Sequence, residues 1–224
     1  MAGILFIISA PSGSGKSTLV SQLRTLVEGL DFSISYTTRA PRGSEEDGRE
    51  YHFTTRKEFE RMIAAGDFLE WAEVFGNYYG TAVSALKHAK DTGKDLLLDI
   101  DVQGASQVMK KLPEAVSIFV LPPSPEILEM RLRQRSEAEE VASKAPISEA
   151  VIQKRLAEAR NELKQMRDYK YALVNDVLDQ AVMELRAIVL CERGVRDGVQ
   201  AIASSCRTDA PSPRLKAALS TFEI

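Results

Sequence analysis

The sequence predicts an α/β protein in which helices flank a parallel sheet, and three observations lead to this fold class. Short apolar runs alternate with segments whose apolar residues recur at helical spacing, which is the order of strands and helices in a parallel sheet. The first apolar run, residues 4–8, leads directly into a glycine-rich segment, residues 10–18, and a helical period follows it. Residues 33–93 break this rhythm with short runs rich in Thr, Tyr, Phe and Trp, which predicts a smaller mixed α+β insert.

Composition narrows the class of protein further. The 224 residues are 44% apolar and 27% charged, which is typical of a globular chain and not of a disordered one. The 29 basic and 32 acidic residues give a net charge of −3, so no global basic field predicts a nucleic-acid partner. Two cysteines, Cys191 and Cys206, exclude a disulfide scaffold and a four-cysteine zinc site. No apolar run reaches the roughly 18 residues of a membrane span, and the N-terminal run lacks a basic flank, so we expect a cytoplasmic protein without a membrane partner.

Four apolar runs predict the buried strands of the core, at residues 4–8, 96–100, 116–121 and 171–174. Helices are predicted after the first three runs, near residue 148 and after the last run. Their buried faces are Leu19, Leu23, Leu26, Val27 and Leu30; Ala105, Val108, Met109 and Leu112; Ile152, Leu156, Leu163 and Met166; and Ala181, Val182, Leu185, Ile188 and Val189. Ser124 is expected to cap the helix that begins at Pro125, and Gly194 to end the last helix.

Three segments interrupt this alternation. Within residues 33–93 one helix is predicted near residues 55–65, where Thr55 and Glu58 form a possible capping box. Residues 136–148 are charged, small and weakly patterned, which fits either a mobile lid or a surface loop. The tail after residue 194 contains two prolines and several serines, so we expect it to be poorly ordered.

The glycine-rich segment has the residue types of a phosphate-binding loop. Gly13 and Gly15 allow backbone N–H groups to curve around phosphate oxygens, and the following helix directs its positive dipole end at them. Lys16 can reach the β- and γ-phosphates of a nucleotide, and the Ser17 hydroxyl can bind Mg²⁺. The whole segment comprises Ala10, Pro11, Ser12, Gly13, Ser14, Gly15, Lys16, Ser17 and Thr18. The alternative is a plain Gly/Ser turn with a solvated lysine.

Residues 101–104 match the D-x-x-G element of GTPases, but no N-K-x-D motif for guanine is present in the chain, which disfavours a GTPase. The insert contains other candidates. Arg39 and Arg42 flank a proline, and two guanidinium groups close together suit a dianionic monophosphate. Glu70 stands among large apolar residues, where a carboxylate needs hydrogen-bond donors such as the N1–H and N2–H₂ of guanine. The alternative is a surface hairpin in which Glu70 pairs with an arginine.

Taken together, these segments resemble guanylate kinase, the nucleoside monophosphate kinase that phosphorylates GMP with ATP. The similarity extends over about residues 3–193. The matching segments, in order, are A-P-S-G-S-G-K-S-T, S-Y-T-T-R-A-P-R, D-G-R-E-Y-H-F, F-L-E-W-A, G-N-Y-Y-G-T and L-D-I-D-V-Q-G. The resemblance implies a P-loop core (residues 1–32, 94–134 and 157–193), a GMP-binding insert (residues 33–93) and a mobile lid (residues 135–156). The tail, residues 194–224, lies beyond it and has no recognised counterpart in the family.

The resemblance also implies roles for individual residues, with ATP and GMP or dGMP as partners and Mg²⁺ as the cofactor. The GMP site would comprise Ser35, Arg39, Arg42, Glu45, Tyr51, Glu70, Tyr79, Thr81, Asp99 and Asp101. In that site Arg39, Arg42, Tyr51 and Tyr79 would hold the phosphate. Asp99 and Asp101 lie two residues apart on a predicted strand, so both are expected on one side, and either could read guanine or order water on Mg²⁺.

On the ATP side, the resemblance implies that Arg131, Arg135 and Arg155 are lid arginines that act with Lys16 on the transferred phosphoryl group. Asn175 would lie near the adenine, and Arg133 is expected to be only a solvated basic residue. Two rival functions remain at this point. One is an interaction module that keeps the fold without catalysis, and the other is a kinase for a different nucleoside monophosphate. The intact loop favours an enzyme.

Overall fold

The computed structural model describes residues 3–143 and 148–222. None of the helices in these ranges is both long and apolar enough to cross a membrane. In chain order the elements are β1 (Leu5–Ser9), α1 (Lys16–Leu26), β2 (Leu30–Phe32), β3 (Tyr36–Thr37), β4 (His52–Phe53), α2 (Arg56–Ala65), β5 (Phe68–Val74), β6 (Asn77–Ala82), α3 (Val83–Thr92), β7 (Asp95–Asp99), α4 (Val102–Lys111), β8 (Val116–Leu121), α5 (Pro125–Ser143), α6 (Glu149–Leu163), a 3-10 turn (Lys164–Asp168), β9 (Tyr171–Val174), α7 (Leu178–Glu192), α8 (Gln200–Ser205) and α9 (Pro213–Thr221).

The main sheet of the described residues has the strand order β2-β7-β1-β8-β9. The pairs β2–β7 and β8–β9 are parallel, and helices follow β1, β7 and β8 before the next strand of the sheet, whereas the second sheet lies between β2 and β7 in the chain. The predicted α/β class with a parallel sheet is therefore confirmed. The strands predicted at residues 116–121 and 171–174 have those bounds, and β1 and β7 are each shifted by one residue from the prediction.

The chain divides into two compact units. We call residues 3–7 and 29–115 the insert unit, and residues 8–28 and 116–222 the loop unit. The predicted insert, residues 33–93, falls within the insert unit. The predicted lid, residues 135–156, falls within the loop unit, and its residues 144–147 lie outside the described part of the chain. These narrower boundaries remain predictions.

The insert unit contains a second sheet of strand order β4-β3-β6-β5. Strands β5 and β6 form an antiparallel hairpin, and β3 pairs antiparallel with β6. Helix α2 begins as predicted, because the Thr55 hydroxyl accepts a hydrogen bond from the Glu58 backbone N–H at 3.2 Å. Phe59 of this helix stacks on Phe68 of β5, with 4.3 Å between the ring centroids. This aromatic cluster anchors the helix to the hairpin.

The prediction of a single helix in the insert is wrong. A further helix, α3, follows β6 directly, and Gly93 ends it with a φ of +66°. Ala89 is the buried residue of this helix, so the sequence shows no apolar period there. The available signal was Gly93 itself, since a glycine with positive φ is the usual C-terminal stop of a helix.

The loop unit is built around α7, which packs against α1, and around the pair α5 and α6. The predicted inward residues of α7 are all buried. The helix stops where expected, because Gly194 has a φ of +92° and its N–H donates to the Cys191 carbonyl at 3.0 Å. At the start of α5, the Ser124 hydroxyl accepts from the Ile127 N–H at 3.3 Å, as predicted for a cap before Pro125.

Two further expectations need correction. Residues 136–143 continue α5, so the surface-loop alternative does not apply to them. The expectation of a poorly ordered tail is also wrong, since α8 and α9 form after residue 194 and Leu215 is only 2% exposed. The reason is tertiary. Strand β9 lies at the edge of the sheet, and the tail pairs with it through a hydrogen bond from the Ala172 N–H to the Cys206 carbonyl at 2.7 Å.

Candidate active site

The glycine-rich segment forms a tight loop between β1 and α1 in the loop unit. The Ser14 N–H donates to the Pro11 carbonyl at 3.1 Å, which closes a turn. Gly13 and Gly15 have φ values of +88° and +83°, a region that other residues rarely adopt. Helix α1 begins at Lys16, so its first N–H groups face the concave side of the loop. The predicted phosphate-loop residues are therefore consecutive in one turn that suits an anion.

Two side chains outside the loop contact its Ser14 carbonyl, one from the residue directly after β9 and one from α5. The Asn175 amide donates to the Ser14 carbonyl at 2.8 Å. Arg131 of α5 donates to the Asn175 backbone carbonyl at 3.1 Å and approaches the Ser14 carbonyl at 3.5 Å. A Cβ on Gly15 would lie 2.4 Å from the Asn175 amide nitrogen, so the loop and Asn175 are in direct contact. The structure thus places Asn175 against the loop backbone, where its amide supports the turn.

The predicted lid arginines occupy α5 and α6 of the same unit. Arg135 lies one helical turn after Arg131 and donates to the Ser12 hydroxyl at 3.2 Å. Arg155 donates to the Ser136 hydroxyl at 3.0 Å, which ties α6 to α5. Arg133 instead pairs with Glu129 at 2.7 Å and with Glu149 at 2.7 Å. The structure therefore brings Arg131 and Arg135 to the loop and ties Arg155 to Ser136. Arg133 is held in two ion pairs, so the expectation of a solvated residue is wrong.

In the insert unit, the Arg39 guanidinium is held in place by the Glu45 carboxylate. Arg39 is only 9% exposed, and its guanidinium donates to the Glu45 carboxylate at 3.0 Å. The same carboxylate accepts from the Arg42 backbone N–H at 2.8 Å, so Glu45 fixes both arginine positions. The Arg39 guanidinium lies 5.3 Å from the centroid of the Tyr51 ring, and Tyr51 packs edge-on against Tyr79 with 6.0 Å between centroids. These residues form what we call the arginine–tyrosine cluster.

Asp99 faces this cluster. Burial, followed by the nearby charge of Asp99, raises the pKa of the Tyr51 hydroxyl above its ordinary value. The hydroxyl therefore stays protonated at neutral pH and can donate a hydrogen bond to an anion. The expectation that Asp99 and Asp101 share one face of a strand is wrong, because β7 ends at Asp99 and Asp101 is the N-cap of α4. The Asp101 carboxylate accepts from the Gly104 N–H at 2.6 Å.

A second cluster lies around Glu70, which is 3% exposed. Glu70 pairs with Thr81 across the β5–β6 hairpin, and the Thr81 hydroxyl lies 3.4 Å from the Ser35 hydroxyl. A Cβ on Gly104 would lie 2.3 Å from Glu70 Oε2 and 3.2 Å from Asp101 Oδ1, so both carboxylates border this glycine. We call Ser35, Glu70, Thr81 and Asp101 the buried carboxylate cluster.

The electrostatics of Glu70 single it out. Burial raises its pKa from 4.5 to about 7, and the charge of Asp101 adds to this, while Thr81 and Lys111 oppose it. Within residues 3–143 and 148–222, its Oε1 atom has no hydrogen-bond partner. A buried acceptor without a partner costs free energy, roughly 1–3 kcal/mol or more for a charged group, which a bound donor recovers. The cluster is therefore shaped for a ligand that donates hydrogen bonds.

Sequence reasoning missed two residues at this cluster. Gly104 was seen only as part of the D-x-x-G pattern, although its missing side chain makes room for the Glu70 carboxylate. Lys111 donates to the Leu69 carbonyl at 2.6 Å and places a positive charge near Glu70. A glycine in the first turn of a helix, where it is unfavourable, was the available signal for the first. No local signal pointed to Lys111.

Known proteins resemble this chain over most of its length. Residues 3–192 match the family model described as guanylate kinase. The chain is 56% identical over 200 residues to a guanylate kinase from Koribacter versatilis, which covers 89% of this chain and 83% of that protein. It is 49% identical over 191 residues to a guanylate kinase from Nitrosospira multiformis, covering 85% of this chain and 87% of that one.

One solved structure gives the same result. The crystal structure of guanylate kinase from Anaplasma phagocytophilum matches with a TM-score of 0.69 and 32% identity, covering 91% of this chain and 95% of that chain. The family model spans the phosphate loop, both clusters of the insert unit and the three lid arginines. On the extent of these matches, the chain belongs to the guanylate kinase family.

Proposed function

We propose that the two units share the work of the family's reaction, with ATP held by the phosphate loop and GMP by the two clusters of the insert unit. The reaction transfers the γ-phosphoryl group of ATP to GMP and gives ADP and GDP, a step of purine nucleotide metabolism. The observation that carries the assignment of sites is Glu70, a buried carboxylate whose Oε1 atom has no hydrogen-bond partner among the described residues. We extend the acceptor to dGMP, because the proposed recognition acts on the base and the phosphate, which GMP and dGMP share.

Guanine recognition follows from donor and acceptor geometry. Ionised Glu70 accepts the N1–H and N2–H₂ groups of guanine at the same time, whereas adenine would present an acceptor to the same oxygens. Because Asp101 borders Gly104 together with Glu70, we assign Asp101 to the base. Ser35 and Thr81 supply hydroxyl groups beside it. Asp99 faces Tyr51 instead, so we assign it to the phosphate and metal side of the acceptor.

The arginine–tyrosine cluster holds the monophosphate of GMP. Arg39 offers a planar fork of N–H donors, and Arg42 follows it three residues later in a turn fixed by Glu45. The hydroxyl groups of Tyr51 and Tyr79 add neutral donors. The two cations match the two negative charges of a dianionic phosphate, and the hydroxyls add further donors for its oxygens. In this assignment Glu45 is a positioning residue for both arginines.

On the ATP side, the loop N–H groups and Lys16 hold the phosphates. The Ser17 hydroxyl is exposed at the first turn of α1, and a hydroxyl oxygen is a donor that Mg²⁺ accepts, so Ser17 would hold the ion. Mg²⁺ bound with ATP neutralises charge on the phosphate oxygens. Asn175 supports the loop through the Ser14 carbonyl, and its position next to the loop leaves it near the bound nucleotide.

The transfer itself needs alignment and charge neutralisation and little covalent help. A GMP phosphate oxygen bonds to the γ-phosphorus as the bond to the bridging oxygen of ADP breaks. Lys16 follows the migrating phosphoryl group, and Arg131, Arg135 and Arg155 neutralise its charge when the lid, residues 135–156, closes over ATP. Closure also excludes water, which would otherwise accept the phosphoryl group. We place this reaction in the cytoplasm, which the free, buried state of Cys191 and Cys206 supports.

A coupled assay of ADP release tests the proposal. With ATP and Mg²⁺ present, we expect turnover with GMP and dGMP, and turnover slower by several orders of magnitude with AMP, CMP and UMP. Release of ADP with another monophosphate in preference to GMP would contradict the assignment of Glu70 to guanine. No ADP release with any monophosphate would favour the interaction module.

A further inference from the structure

The C-terminal tail reaches the back of the phosphate loop through one side chain. The family model ends at residue 192, so this segment lies beyond the part of the chain that the family describes. Ser212 caps α9, and Pro213 occupies its first turn. Arg214 follows directly and points into the end of β9, with Leu215 and Ala218 buried beside it. The tail is thereby docked on the strand that leads to Asn175.

Arg214 donates hydrogen bonds to the residues on both sides of Asn175. Its guanidinium donates to the Val174 carbonyl at 2.7 Å and to the Asp176 carboxylate at 3.2 Å. It also pairs with Glu184 of α7, which is 8% exposed. The Arg214 pair lowers the pKa of Asp176 below its ordinary value, so the carboxylate stays charged at neutral pH. One guanidinium joins the carbonyl and the carboxylate, and an ammonium lacks this planar fork of donors.

Asn175 lies between these two anchored positions. Its backbone N–H donates to the Leu121 carbonyl at 2.8 Å, and its side chain donates to the Ser14 carbonyl. The contact with the loop has little slack, since even a Cβ on Gly15 would collide with the Asn175 amide. A shift of residues 174–176 therefore moves the amide against the loop or away from it. The shape of the loop depends on where this segment is held.

We propose that Arg214 is a positioning residue for ATP binding, which holds the phosphate loop in shape through residues 174–176. The inference rests on the proposed role of the loop as the ATP site. Arg214 does not touch the loop, and it acts through Asn175. Its loss is expected to weaken ATP and ADP binding and to leave GMP binding unchanged, because the GMP residues belong to other segments of the chain.

The test compares three variants of the full chain in steady-state kinetics and in calorimetric titration with ADP. For Arg214→Ala we expect the KM for ATP and the Kd for ADP to rise roughly threefold to tenfold, with the KM for GMP within about twofold of the parent value. Arg214→Lys should recover part of the loss, because it keeps the charge but not the planar fork. Arg207→Ala is the matched control, since it removes an exposed ion pair with Asp209 from the same tail and should change neither KM.

A lower melting temperature with both KM values unchanged would overturn the proposal, because it would make the tail merely structural. Arg214→Ala leaves Glu184 without its ion-pair partner, and this variant could fail to fold for that reason. In that case Asp176→Asn is the deciding variant, because it weakens the contact between Arg214 and residue 176 at an exposed position. The proposal requires Asp176→Asn to raise the KM for ATP and not the KM for GMP, and any other result overturns it. These outcomes are distinct from a failure of the proposed function. If the parent protein lacked GMP kinase activity, the proposed function would be contradicted, and ADP titration of the variants would still test the role of Arg214.

Discussion

The phosphate loop and the buried carboxylate cluster achieve ligand binding by opposite means. The loop is nine consecutive residues whose donors are backbone N–H groups, and its shape is fixed by two glycines with positive φ and by the Asn175 amide on the Ser14 carbonyl. The carboxylate cluster gathers side chains from residues 35 to 101, and Glu70 in it keeps a buried acceptor without a partner among the described residues. The phosphate loop has its shape before the ligand binds, whereas the carboxylate cluster needs a ligand to supply a hydrogen-bond donor to Glu70.

This difference sets the chemical sensitivity of each site. Backbone N–H groups do not titrate, so binding to the loop should vary little with pH near neutrality. Glu70 does titrate there, since burial raises its pKa to about 7. Only the ionised carboxylate accepts both guanine donors. The GMP side is therefore expected to be the pH-sensitive and specificity-determining half of the enzyme, and the ATP side the half that depends on backbone shape and charge.

The largest effect is expected at the loop, from Lys16→Ala. Removal of its charge should lower kcat more than about a hundredfold, a loss typical of one preorganised charge at a reacting group. Circular dichroism should show that the fold persists. Lys57→Ala, at an exposed lysine of α2, is the control for loss of a lysine. Turnover near the parent rate in folded Lys16→Ala would end the assignment of the loop.

Next in size is Glu70→Gln, which tests the other side of the comparison. The amide presents a donor to the donors of guanine, so the KM for GMP should rise roughly tenfold to a hundredfold and the preference for GMP over AMP should narrow. The KM for ATP should stay nearly constant. Glu73→Gln, at an exposed position of the same strand, should leave both values unchanged. An unaltered preference for GMP over AMP would mean that the base is read elsewhere.

Gly104→Ala sharpens the comparison without a change of charge. The added Cβ would lie 2.3 Å from Glu70 Oε2, so the carboxylate must move. We expect the KM for GMP to rise about tenfold and the KM for ATP to stay the same, while α4 itself gains from the better helix former. Gln103→Ala, at the exposed neighbouring position, is the control. An equal rise in both KM values would show that the substitution disturbs more than the acceptor site.

The smallest effect is the pH dependence of the unmodified enzyme. The pKa of Glu70 is about 7, so below that pH the carboxyl group is mostly protonated in the free protein. The proton must leave before Glu70 can accept both guanine donors. The KM for GMP should therefore rise roughly threefold as the pH falls from about 7.5 to about 6.5, while the KM for ATP changes little. Glu70→Gln should lose this dependence. A parallel change in both KM values would place the titrating group outside the carboxylate cluster.

The two sites also differ in how far the sequence predicts them. The loop was predicted residue by residue, because a strand, a glycine-rich turn and a helix follow one another within one short segment. For the insert, the residues could be proposed, but their mutual arrangement could not. Asp99 and Asp101 appeared equivalent as neighbours on a strand, and only the end of β7 at Asp99 separates them. The role of Gly104 is visible only once the Glu70 carboxylate lies against it.

By itself, the sequence determined the α/β class, four of the five strands of the main sheet, the caps at Ser124, Thr55 and Gly194, and the phosphate loop, whereas Leu30 of β2 was wrongly assigned to the helix after β1. All of these depend on periodicity or on contacts within a few residues, so the local order of side chains is sufficient. The tertiary structure alone decided that the tail is ordered, that Asn175 contacts Ser14 and that Arg214 donates a hydrogen bond to the end of β9. These features depend on an edge strand with open hydrogen bonds and on partners 30 or more residues apart in the sequence, which no local pattern records.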